Sequence, residues 1–339
     1  MESIVIVDAG RHSVKYLSTS KRNRRKEGDK CIFNDISPTM TQAVDVSLAD
    51  WNEVLPKVLS REVDPADDLT LFILTQPLFS RRDRELLFTT CFEYLGAKKV
   101  CLGYAPVAAH FAAGEVSGVN VDIGFSAVRI TPIYQGIPCT AISEVYPTIG
   151  AAHVDEELAR YYTVGPLPQE LTALKSQVCW IGRHDCENDE KWDNESGFSR
   201  FVDEITLPDG SCARVPFGPH DALQAGRRLL YNSTVSLPDS FQSIYQSFSI
   251  EFHNCPYWSL FGGASDMFGV NDTLTRALSG SLPLTDPIQL RLRNSCNAPV
   301  EGASIVSQLN TFKSMCVGVE SYEEDGPERC VHSKILDSR

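Results

Sequence analysis

The chain has 339 residues, 42% of them hydrophobic, and a net charge of −13 from 31 basic against 44 acidic side chains. That length predicts two domains or one large duplicated one, and the apolar share excludes a disordered chain. The acidic balance argues against generic binding to nucleic acid or to an anionic membrane, because such a surface repels phosphate.

In chain order, residues 4–16 read Ile-Val-Ile-Val-Asp-Ala-Gly-Arg-His-Ser-Val-Lys-Tyr: a β-branched strand, a turn after Asp8, and a second strand. Leu48 to Leu59 carries helical periodicity, with Asp50, Trp51 and Glu53 in its first turn. Leu69 to Leu74 is a strand; the apolar run ends at Pro77, far short of the roughly 20 residues that span a bilayer. Arg81 to Leu95 is a helix stopped by Gly96, and Pro106 opens another that Gly114 ends. Residues 118–130, Gly-Val-Asn-Val-Asp-Ile-Gly-Phe-Ser-Ala-Val-Arg-Ile, repeat the opening pattern. Aligned on Asp8 and Asp122, both read D-x-G-x-x-x-V-[KR]. Such a hairpin points backbone N–H groups and one carboxylate into a shared space, which suits a phosphate and its metal. Two copies, each followed by helical segments, predict a duplicated two-lobed α/β protein. The stretch from about 150 to 250 mixes helices with polar loops. Tyr257 to Phe261 is a short strand before a tight Gly262-Gly263 turn, Asn271 to Leu278 a helix, and Ser304 to Met315 a late helix.

Eleven cysteines are scattered without a C-x-x-C pair, so zinc ribbons and thioredoxin-type sites lack support. Met1-Glu2-Ser3 runs into a strand with no basic and apolar leader. The expectation is an intracellular protein with free thiols and unused sequons at Asn194, Asn232 and Asn271. Cys179, His184 and Cys186 lie close in sequence but lack a fourth ligand at metal spacing, and read as a helix end plus loop.

Five ordered stretches carry a resemblance. They are Asp8-Ala9-Gly10 with Lys15; Gly118 to Gly136, ending Pro132-Ile133-Tyr134-Gln135-Gly136; Leu207-Pro208-Asp209-Gly210; Gly262-Gly263; and Gly302-Ala303-Ser304-Ile305 through Thr311-Phe312 and Met315 to Tyr322-Glu323-Glu324-Asp325-Gly326-Pro327 and Val331-His332. Over nearly its whole length the chain resembles actin and the actin-related proteins, within the sugar kinase, chaperone and actin ATPase fold. The resemblance implies a duplicated ribonuclease-H-like α/β fold with two lobes around a central cleft. Residues 1–149 would be a first lobe with a reduced second subdomain, and 150–302 a second lobe. The final helices, 303–339, would pack back on the first.

The family binds ATP and a divalent metal in that cleft, where catalysis rests on positioning and charge stabilisation. Carried over by resemblance, Asp8, Gly10, Lys15, Asp122, Gly124, Lys175, Gly262 and Gly263 form a degenerate nucleotide cleft. The departures are sharper. Arg11 and His12 replace small residues of the first phosphate loop. Ile123 replaces a phosphate-binding serine, and Phe125 the second metal-associated aspartate. Ala105 and Arg129 stand where a glutamine and a histidine arrange the attacking water, and Ser176 replaces a ribose-contacting glutamate. The resemblance therefore implies no catalytic residue and no metal ligand, and either no cofactor or ATP or ADP held without turnover. Two readings stay open: His12, Ile123 and Phe125 close the cleft, or Arg11 and Arg129 neutralise phosphate in place of metal.

Between Lys15 and Leu48 the sequence is shorter than in actin, so the loop that grips the next filament subunit is expected to be missing. Ser20-Lys21-Arg22-Asn23-Arg24-Arg25-Lys26-Glu27-Gly28-Asp29-Lys30 takes its place, read as a solvated loop, a nuclear localisation patch or a contact for an acidic partner. At the opposite end, Phe111, Gly114, Ile305, Leu309, Thr311 and Met315 match the lining of actin's apolar partner groove, with Glu301 replacing an apolar residue. The alternative for Ile305 and Leu309 is plain core packing. The resemblance implies a non-hydrolysing structural subunit at a filament end, cytoplasmic and cytoskeletal, similar to the pointed-end actin-related subunits of dynactin. A nuclear scaffold subunit of a chromatin-remodelling or histone-modifying complex is the alternative, and a true ATPase the third reading, against which Ala105 and Phe125 argue. The expected partners are other actin-family subunits or a long amphipathic helix of a complex scaffold, with no direct nucleic acid and no membrane.

Overall fold

The structure, a computed structural model, describes residues 2–18, 32–34, 48–62, 68–163, 165–182, 201–247, 257–281, 289–292 and 296–334. The basic run at 21–26, the acidic stretch 187–195, His184 and Cys186 lie outside the described residues.

Strand β1 (Glu2–Ala9) turns into β2 (Val14–Ser18), beside which lies β3 (Ile32–Asn34). Helix α1 (Leu48–Glu62), β4 (Asp68–Thr75) and α2 (Arg81–Thr89) follow. Ser80 caps α2, its Oγ accepting the Asp83 N–H at 3.1 Å. The predicted single helix over 81–95 widens at its end: Thr90–Tyr94 is a π-helical turn in which the Leu95 N–H reaches back to the Thr90 carbonyl. Next come β5 (Lys99–Tyr104), α3 (Ala105–Ala112), β6 (Gly118–Ile123), β7 (Val128–Tyr134), β8 (Ile137–Pro138) and β9 (Glu144–Tyr146). Helices α4 (Ala151–Ala159) and α5 (Pro168–Gln177) precede a small hairpin of β10 (Glu204–Thr206) and β11 (Cys212–Arg214). The chain continues through α6 (Pro219–Arg227), α7 (Leu237–Ser247), β12 (Tyr257–Phe261), α8 (Val270–Ser281) and β13 (Gln289–Leu292). It ends with α9 (Ala298–Ser307), α10 (Phe312–Met315), β14 (Val317–Gly318) and α11 (Val319–Lys334), the last broken at Gly326.

The late helix predicted over 304–315 is thus two helices, starting earlier. Pro299 sits in the first turn of α9, where its missing N–H costs nothing. After Ser307 the backbone tightens, with Leu309 N–H bonding Val306 O and Phe312 N–H bonding Leu309 O, and the helix re-starts at Phe312.

Two mixed sheets organise these elements, in the orders β14-β5-β4-β1-β2-β3 and β13-β12-β6-β7-β8, with β9 also on β7. The pairing pattern is the same in both. An antiparallel hairpin (β1–β2, β6–β7) has its first strand parallel to a later one (β4, β12), which is parallel to a further one (β5, β13). Strands β4 and β6 are buried along almost their whole length, as expected where helices cover both faces of parallel strands.

Each sheet has its own core. Val5, Val7, Leu71, Ile73 and Val100 pack under α1 and α2, around Trp51, Leu55 and Phe88. Val119, Val121, Ile123 and Leu260 pack with Val154, Leu174, Phe241 and Leu274 on the other. Val300, Ala303 and Val306 of α9 share a third cluster with Ile6, Phe72 and Leu74 of the first sheet. The chain end returns to that sheet too: Val317 pairs with Val100, and Tyr322 stacks on Phe92 while its hydroxyl donates to Glu93 at 2.8 Å. Every cysteine among the described residues is a free thiol, Cys179 buried. No described helix is long and apolar enough to cross a membrane.

Candidate functional site

The two hairpins found in the sequence have the same turn. The Gly10 N–H donates to Ser13 O at 2.9 Å, and the Gly124 N–H to Ala127 O at 3.0 Å. Register then sets a base opposite each acid. Lys15 faces Asp8 with 4.0 Å between Nζ and Oδ2, and Arg129 faces Asp122 with 3.5 Å between Nη1 and Oδ2. Register also places Leu74 beside Asp8 and Phe261 beside Asp122. The ends of β1, β4, β6 and β12 therefore converge, the usual place for a site in such sheets.

A cavity of about 260 Å³ lies there. Asp8, Gly10, Lys15, Asp122, Gly124, Lys175, Gly262 and Gly263, all expected from the sequence, line it together. Gly262 is needed for this approach: its φ is +109°, and a Cβ would lie 2.3 Å from the Ile123 carbonyl oxygen and 2.6 Å from Asp122 Oδ1. Ala105 is buried and takes no part in the lining.

The expectation of a closed cleft needs correcting. Ile123 is fully buried in the second sheet's core and turns away from the cavity. His12 and Phe125 do face it, but they stack on one another, ring centroids 5.0 Å apart at 25°, and leave space alongside. The expectation that Arg11 replaces metal charge fares no better, because its Nη1 binds Asp50 Oδ2 of α1 at 2.6 Å. Lys175 in turn holds Asp155 of α4, 2.7 Å to Oδ1, and its ammonium lies 5.4 Å from the Phe125 ring centroid. Each of the four basic side chains is therefore held by an acid.

Sequence reasoning missed three of these partners. Gln76, whose Nε2 approaches Asp122 Oδ2 at 3.5 Å, follows the end of β4, where the strand-end rule could have found it. Asp50 was visible only as a residue of a helix's first turn, and Asp155 had no motif. Burial pushes the Asp8 carboxyl above its ordinary pKa, against the pull of Lys15. It does the same to Asp155, against Lys175 and His12.

A metal-bound triphosphate does not fit these side chains. Phe125 offers an apolar ring where a second carboxylate would have to accept hydrogen bonds from metal-bound water, and Asp122 is already held by Arg129.

A second feature lies at the α9–α10 end. Ile305, Leu309 and Met315 are 50%, 51% and 42% exposed, so core packing does not account for them. Helix α9 crosses α3, whose Phe111 is partly buried, its ring against Gly136 of the β7–β8 turn. Gly114 and Thr311 are exposed and Glu301 is half-buried.

Residues 22–165 match the family model described as Actin, a span that contains the second hairpin, α3 and α4. The match covers under half of the chain, and the mixed α/β content and mixed sheets fit an actin-like fold.

Proposed function

We propose that this chain is a non-hydrolysing structural subunit of a larger cytoskeletal assembly, docking a neighbouring subunit or a long amphipathic scaffold helix through its α9–α10 end. The observation that carries the reading is the row of half-exposed apolar side chains Ile305, Leu309 and Met315. Apolar side chains presented in succession by α9 (Ile305), the turn after it (Leu309) and α10 (Met315) suit an amphipathic helix laid across them.

Two further features support the same role. The cleft acids Asp8 and Asp122 face bases across their hairpins, and Phe125 presents no metal-water acceptor, so ATP hydrolysis has no chemical basis in this reading. The resemblance implies that residues 19–47 are fewer than the stretch that in actin carries the subunit-gripping loop. A chain with one docking end suits a terminal filament position, as in the pointed end of dynactin.

The experiment is to purify the tagged full chain with its partners from its own cells, beside Ile305→Asp and Leu309→Asp. Recovery of actin-family filament subunits with the wild type, and their loss with both variants at unchanged thermal midpoint, is the expected result. Recovery of chromatin-remodelling or histone-modifying subunits alone would replace this reading with a nuclear scaffold role.

A further inference from the structure

We propose that His12 and Phe125 form a clasp that joins the two sheets across the cleft and takes over the bridging role a bound nucleotide would have. The inference rests on the reading above that the cleft performs no phosphoryl transfer.

The argument is one of which contacts cross. Arg11–Asp50 and Lys15–Asp8 join elements of the first sheet's side, while Arg129–Asp122 and Lys175–Asp155 join elements of the second. None of these four pairs spans the cleft. The ring stack does span it, because His12 belongs to the β1–β2 turn and Phe125 to the β6–β7 turn. A phosphate would bridge these same two turns through their backbone N–H groups.

Phe125 is held firmly for this task. Its carbonyl accepts the Ala152 N–H at 2.8 Å from the start of α4, and its neighbour's carbonyl, Gly124 O, accepts the Ala151 N–H at 3.2 Å. Lys175, fixed by Asp155, lies over its ring. His12 meets an aromatic surface already placed by backbone and cation, so stacking orders little else. Gln76 beside Asp122 is a further, longer crossing contact at 3.5 Å.

The test is hydrogen exchange on the isolated full chain, following amides in the turns at 9–14 and 123–128, with and without about 1 mM Mg-ATP. The expected result is that His12→Ala raises exchange about tenfold in both turns while His12→Phe, which keeps a stacking ring, leaves it near wild type. Mg-ATP should change wild-type exchange less than about twofold. Unchanged exchange in His12→Ala, or His12→Phe behaving like His12→Ala, would overturn the clasp. So would roughly tenfold protection of the wild-type turns by Mg-ATP. Steady phosphate release from ATP by the wild type would instead sink the non-hydrolysing reading, a separate measurement from exchange.

Discussion

Arg129 lies directly opposite Asp122 across the β6–β7 hairpin, its guanidinium 3.5 Å from the carboxylate and both side chains nearly buried. Lys15 and Asp8 repeat the arrangement in the β1–β2 hairpin. One turn length in both hairpins fixes both pairs, so each acid has a base directly opposite it. The repeat is thus electrostatic as well as topological.

Removing Arg129 alone leaves Asp122 nearly buried without its opposing cation. Arg129→Met should therefore cost about 3 kcal/mol, whereas Asp122→Asn with Arg129→Met should recover much of it. Urea denaturation of the two single variants and the double measures the coupling. A coupling near zero would mean that the pair contributes nothing beyond its separate members.

Asp8 and Asp155 give a pH dependence of definite sign. Burial raises both folded-state pKa values above the ordinary 3.8, so the folded chain holds these protons more tightly than the unfolded one. Their contribution is favourable when protonated and is lost as pH rises above 3.8 through the raised values. Asp8→Asn removes that loss. The variant should be more stable than wild type at neutral pH, by a margin that shrinks as the urea midpoint is followed down toward about pH 4. A margin that grows on acidification would reverse the assignment.

Much of this was legible from the sequence because the site is a repeated local pattern. Asp8, Gly10 and Lys15, and their counterparts Asp122, Gly124 and Arg129, sit at fixed offsets in a hairpin, and a hairpin's register follows from its turn. What could not be read is what depends on long-range approach. Arg11 meets Asp50 and His12 meets Phe125 only once helices and sheets are assembled. The direction of Ile123 was misjudged for a related reason. It follows Asp122 in a strand, so it points to the opposite face, into the core rather than the cleft. The break in the late helix also escaped, since Gln308-Leu309-Asn310-Thr311 contains neither Gly nor Pro to mark it.

His110 gives the opposite pH sign. It is fully buried on α3, its Nδ1 2.9 Å from the Ser259 hydroxyl, whose oxygen accepts from Asn120 at 2.7 Å. Burial lowers its pKa below 6.5, opposed by Ser117 and Glu115. The unfolded chain takes up the proton first, so stability is lost as pH falls from about 6.5 toward the lower folded value. Thermal midpoints between pH 7 and about 5.5 should fall more for wild type than for His110→Gln. Equal slopes would show that His110 does not set this part of the curve.

Gly302 controls how closely α9 crosses α3. A Cβ there would lie 1.7 Å from the Ala108 carbonyl oxygen, 2.5 Å from its carbon and 3.1 Å from the Ala112 nitrogen, all backbone atoms that cannot step aside singly. Gly302→Ala must push the helices apart and loosen Val300, Ala303 and Val306 from Ile6, Phe72 and Leu74. The cost should reach about 3 kcal/mol. Gly263→Ala is the control, since a Cβ at Gly263 meets nothing within 4 Å and its φ is not in the left-handed range. Its urea midpoint should stay near wild type while that of Gly302→Ala falls. Because Ile305 rides on the same helix, the displaced α9 should also lose the partner subunits that Gly263→Ala retains. Equal midpoints for the two variants would mean that the helix crossing tolerates the extra methyl and that α9 is not seated on α3 by this glycine.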